Sequence, residues 1–167
     1  GTESMDRPLL PLATMRLMGP VEIVDAAGSI VPFERAKPLE LLAWMATHRH
    51  HSTRTAARTA MWLTDVRDAT FANVVSDARR AMIKAVPLPT GEEWVARTLN
   101  EQLLLHRGMV TDVDLIGAAL DGSEDLDDAA ALQHLRPAVE MIRGVPFTGS
   151  DYLWPDAEGL TAELVLL

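Results

Sequence analysis

Cysteine is absent from all 167 residues, which excludes disulfides, thiolate zinc sites and cysteine nucleophiles together. No run approaches the ~18 consecutive apolar residues of a membrane span, and no signal-peptide pattern opens the chain. Catalytic motifs are missing as well. There is no Gly-rich phosphate loop, no Gly-x-Ser-x-Gly and no His/carboxylate spacing of a metalloenzyme. Glu124, Asp125, Asp127 and Asp128 are dense in acid but lack the alternating ligands and central glycine of a calcium loop. They read as a solvated linker and a helix N-terminus, where the helix dipole favours negative charge. Repeats at the ~34-residue period of helical arrays are not visible. The expectation is a protein that is not an enzyme, with no catalytic residue, cofactor or bound metal.

Basic residues are scarce in one part only. The net charge is -9, but residues 1–107 hold 13 Lys/Arg against 12 Asp/Glu, a net of +1. Residues 108–167 hold only Arg136 and Arg143 against 12 acids, a net of -10. That asymmetry predicts two parts with different surfaces. With 48% hydrophobic and 23% charged residues, the composition is that of a folded globular chain.

Gly1-Thr2-Glu3-Ser4-Met5 reads as the scar of a cleaved tag, and residues 1–12 as a lead outside the fold. Residues 15–25 are rich in apolar and β-branched side chains. The turn Ala26-Ala27-Gly28-Ser29 and a second short strand, Ile30–Phe33, complete a hairpin. From Pro38 to His48 the period becomes helical, through Leu39, Leu42, Ala43, Met45 and Ala46. A second helix is predicted over Ala56–Trp62 and a third from a capping Asp68 to Val86, where Pro87 and Pro89 stop it. On that third helix Phe71, Val75, Ala78, Met82 and Ala85 share one side, and Asn73, Asp77, Arg80 and Lys84 the other. A second hairpin, Glu93–Thr98 with Leu103–His106, follows. Beyond it lie a helix from Asp112 to Leu120, an acidic linker 121–125 and a helix from Leu126 to Ile142. Pro137 should kink or split that last helix, and Gly144 should form a left-handed cap. A final amphipathic stretch covers 157–167.

Two hairpins flanking three helices, the longest just before the second hairpin, is the order of a winged helix-turn-helix. At this point the residues resemble a family. Met15–Ile23 resembles the opening strand of the antibiotic-regulatory transcriptional activators of actinobacteria, and Lys37–Trp44 is similar to their first helix. Met61-Trp62-Leu63-Thr64-Asp65 stands where they close the second helix, and Phe71–Met82 resembles their recognition helix. Val113-Asp114 and Gly144–Phe147 through Asp151–Pro155 are similar to their bacterial transcriptional activator domain (BTAD). Glu40-Leu41-Leu42 and Asp151-Tyr152-Leu153-Trp154 look closest to a subgroup in which this pair of domains is attached to LysM and transmembrane segments. The resemblance implies a mainly α fold with small β-hairpins (α+β). A winged-helix domain at 13–107 is followed at 108–167 by the first helices of an α-helical, TPR-like activator domain. It also implies a cytoplasmic location, as the soluble part of a membrane-anchored protein.

The function expected is that of a transcriptional-regulator-like module touching DNA through its third helix. The residues that would do so are Asn73, Ser76, Arg79, Arg80 and Lys84, with Arg54 and Arg58 from the second helix, and Arg49 nearby, reaching phosphates. Asp77 lies on the same face and opposes DNA phosphates by charge, so weak binding is expected. The alternative is a protein-interaction module of a larger envelope-associated protein that has lost DNA binding, and a protein partner is expected in either case. His48, His50 and His51 with Arg49 read as a polar loop rather than a metal site. Trp62 and Trp94 read as core residues, with Phe71, Val75 and Met82.

Overall fold

The computed structural model describes residues 11–167. The tag-like start lies outside them, as does the expected lead 1–12 except for Pro11 and Leu12. The architecture is mainly α with a small β-sheet. Strands β1 (Ala13–Arg16) and β2 (Glu22–Asp25) precede helices α1 (Ala36–Thr47), α2 (Arg54–Met61) and α3 (Asp68–Ala85). Strand β3 (Met109–Thr111), the helices α4 (Asp112–Ser123) and α5 (Asp128–Glu140), and the short α6 (Trp154–Ala157) and α7 (Leu160–Val165) follow.

The sheet order is β2-β1-β3, with β1 antiparallel to β2 and parallel to β3. The first hairpin therefore differs from the sequence expectation, because residues 15–25 are not one strand. The chain turns at Gly19, whose φ of 137° suits glycine. The amides of Leu17 and Met18 leave the ladder and donate to the buried Asp112 carboxylate at 2.9–3.0 Å. Ile30 forms only an isolated bridge with Val24, beyond a turn in which Asp25 accepts from the amides of Ala27 and Ser29.

Helix α1 is the hub, with every residue from Glu40 to Ala46 buried. Its neighbour α2 is capped by Thr53, whose hydroxyl accepts from the Ala56 amide at 3.1 Å. On α3 the buried side is Phe71, Val74, Val75, Ala78 and Met82, which differs from the predicted stripe in that Val74 joins it and Ala85 is half-buried. Arg67 takes the cap position, and Asp68 stands one residue inside the helix. The second hairpin is present as the Val95–Leu105 bridge, with Ala96 donating to Leu104 and His106 to Trp94. The Trp94 indole donates to the Val86 carbonyl at 2.9 Å, tying this wing to the end of α3.

A capping box between Thr111 and Asp114 starts α4, which runs on to Ser123 and absorbs the first half of the expected linker. Pro137 lies inside α5 without splitting it. Pro137 and Gln133 are exposed, so solvent can take the carbonyl that proline leaves without a donor. Gly144 is not a left-handed cap; Phe147, Gly149 and Gly159 are the residues near it with positive φ. After α5 the chain docks on the β1–β2 turn instead, with Arg143 donating to Met18 and Phe147 to Leu17. One core cluster runs from Met15, Ile23 and Trp44 to Ile116, Phe147 and Trp154.

Two segments far apart in sequence meet on that core. The Trp154 indole donates to Glu40 at 3.1 Å, and Glu40 is only 2% exposed. Lys37 holds the other Glu40 oxygen at 2.9 Å. Beside them His48 stacks on Trp44 and meets Glu158 through Nε2 at 2.8 Å.

Candidate nucleic-acid interface

Helices α2 and α3, beside the wing, carry the residues expected from the sequence to reach DNA. Along α3, Asn73, Arg80 and Lys84 are exposed, and Ser76 and Asp77 half-buried. Charge on this face is heavily tied up within the protein. Asp77 is paired with Arg80, three residues along the helix, and with Arg35 from the loop before α1. These two guanidiniums hold the Asp77 carboxyl below its ordinary range, Arg35 most of all.

Arg79 does not face outward. Its Nε donates to the Val95 carbonyl at 2.8 Å and its Nη2 to Ala96 at 3.1 Å, so the side chain clamps the wing to α3. Arg58 is likewise engaged, with Asp68 at 2.7 Å and with the Val66 carbonyl. Arg49 reaches the carbonyls of Leu105 and Met109. Arg54 is half-buried, and its amide donates to Glu101 at 2.8 Å. Among the described residues, the side chains of Arg54 and Lys84 make no ion pair. The structure thus gathers Asn73, Ser76, Arg80 and Lys84 on one face, and turns Arg79, Arg58 and Arg49 toward the protein's own backbone.

Sequence reasoning missed two residues here. Arg35 lies outside every predicted element, and no local signal joins it to Asp77 forty-two positions away. Arg67 is exposed at the N-terminus of α3, and its position before Asp68 was the available signal. The expected core also needs a correction. Trp94 is 1% exposed, but Trp62 is only half-buried, its ring edge-on to Phe71 and beneath the Lys37 ammonium at 5.0 Å. It stands at the C-terminal cap of α2, half-exposed.

The histidine loop divides. His48 belongs to the packed contact with Trp44 and Glu158, whereas His50 and His51 are exposed. Among the described residues no three His, Asp or Glu side chains converge as metal ligands.

Comparison with known proteins bears on the fold. No family model matches the chain, and no curated protein matches it either. Among solved structures, EmbR of Mycobacterium tuberculosis in complex with a low affinity phosphopeptide matches with a TM-score of 0.68 at 21% identity. The match covers 93% of this chain and 43% of that one. The fold is similar to that of EmbR. This chain thus spans less than half the length of its EmbR match. At that identity the likeness speaks for the shared EmbR-like backbone, with its small sheet and packed helices. Among the described residues no helix is long and apolar enough to cross a membrane.

Proposed function

We propose that this chain is a regulatory module of the winged-helix and BTAD type, meeting DNA weakly through α3. The observation that carries this is the order and packing of α2, α3 and the wing, in a fold like that of EmbR over nearly the whole chain. It agrees with the family resemblance of Met15–Ile23, Lys37–Trp44 and Phe71–Met82. The DNA contacts in this reading are Arg80, Lys84 and Arg54 on phosphates, with Asn73 and Ser76 as hydrogen-bonding partners. Arg79 and Arg58 support them from behind by fixing the wing and the α2–α3 corner. The contact between Glu40 and Trp154 joins the two motifs that point to the subgroup with membrane-anchored members. In this reading the module faces the cytoplasm from such a protein.

Asp77 supplies the test. Fluorescence anisotropy of a labelled duplex at low salt should show tighter binding by Asp77→Asn, which removes a like charge, and weaker binding by Lys84→Ala. If both variants bind as the parent does, this face does not meet DNA.

A second reading has its own support, because Arg79, Arg58 and Arg49 all donate to backbone carbonyls of the chain itself. A module of this kind would contact a protein partner instead, and duplex DNA would not bind it even at low salt.

A further inference from the structure

Between the loop before α1 and the C-terminal half of α3 lies an open groove of about 600 Å³, within the range of small-molecule sites. Its deeper lining is apolar. Pro38 is buried, and Phe33, Ala81 and Ala85 are half-buried, with the exposed Pro32 at the edge. Its charged lining is Arg35, Arg80 and Lys84 against Asp77 and Glu34. Three cations against two acids leave a net of +1, in a chain whose total is -9.

The arrangement of these charges matters more than their sum. Asp77 meets one nitrogen, Nη2, of each arginine, so a single carboxylate holds two guanidiniums from different elements side by side. A guanidinium carries five N–H donors in a planar fork. Each arginine therefore keeps donors free of Asp77, and the arginine side chains are 62% and 73% exposed. Two like charges held together by one acid are stabilised further by a second oxyanion, which planar forks bind in a bidentate manner. Next to them lie the Phe33 ring and two proline rings, surfaces suited to a flat apolar body.

We propose that this groove binds a flat, apolar oxyanion, its ring system against Phe33, Pro38, Ala81 and Ala85 and its anionic group on Arg35 and Arg80. Lys84 adds long-range attraction from the rim. The proposal goes beyond the reading of α3 as a DNA-contacting helix, and it is tested with no DNA present.

The probes are 2-naphthoate and its neutral counterpart 2-naphthalenemethanol, titrated into the ¹⁵N-labelled protein and followed by amide chemical shifts. The expected result is saturable shifts for naphthoate concentrated at residues 33–38 and 77–85, with the alcohol binding at least about tenfold more weakly, as expected when charge-assisted hydrogen bonds are lost. The double variant Arg35→Ala/Arg80→Ala should weaken naphthoate by a similar factor, and Ala81→Leu should block it by filling the lining. Both changes are at surface-accessible positions, and the same spectra report whether each variant is folded. Equal binding of acid and alcohol overturns the proposal. So do shifts centred elsewhere, as on the exposed Leu132 and Val139 of α5, or no saturable shift at millimolar probe.

Discussion

Glu40 and Asp112 are carboxylates taken out of water, 2% and 1% exposed. For both, burial is the largest influence, and it raises the pKa above the ordinary 4.5 and 3.8 although hydrogen bonds pull the other way. An acid whose folded pKa is raised binds its proton more tightly in the folded state. Its contribution is fully present below the unfolded pKa and is lost as pH rises through the folded value. Asp77 and Glu101 have the opposite sign, held low chiefly by Arg35 and Thr55, but Glu101 is exposed and Asp77 only half-buried, so solvent screens such effects. Glu40→Gln should therefore melt close to the parent near pH 4 and gain on it as pH rises toward 7. Melting curves across that range check this, and a constant gap would show that Glu40 burial does not control it. The tryptophans differ in the same way. Trp94→Ala should cost about 3–5 kcal/mol, as for a fully buried aromatic. Trp62→Ala should cost less than half of that, since only part of its ring leaves water. Urea unfolding of the two variants decides the order.

Among the elements, α1 and α3 were legible because their apolar residues repeat at a helical period over three or more turns. The wing was legible because two apolar runs flank a turn. Strand β3 was not, because three residues carry no period, and its pairing partner β1 lies more than ninety positions away. The break at Gly19 was hidden for a related reason. The acceptor that draws the Leu17 and Met18 amides out of the sheet is Asp112, invisible to any local window. Arg79 marks the limit for the candidate site. Helical spacing places it beside Arg80, but spacing cannot tell a guanidinium that reaches DNA from one that reaches a wing carbonyl. Arg79→Ala should loosen the wing, accelerating amide exchange at Ala96 and His106 and lowering the melting temperature. Unchanged exchange at both amides would remove the clamp from the account.

For the molecule as a whole, charge and packing pull apart. The residues from 108 onward carry a net of -10, yet they are bound into the core of the winged part through Asp112, Trp154 and Phe147. The surface proposed to meet DNA therefore works in the field of an acidic neighbour, which is screened over ~10 Å at about 0.1 M salt. Most of its arginines are also engaged internally. With Arg54, Arg80 and Lys84 as the phosphate contacts, and about 0.9 units of slope for each phosphate neutralised, log affinity should fall against log salt with a slope of roughly 2.7. The direct measurement is anisotropy of a labelled duplex titrated with the protein across a series of salt concentrations. The account predicts weak binding with a slope near 3 that drops by about one unit in Lys84→Ala. A slope of about 4.5 or more would mean that Arg79 and Arg58 are released to phosphates, contradicting the internal roles the fold gives them.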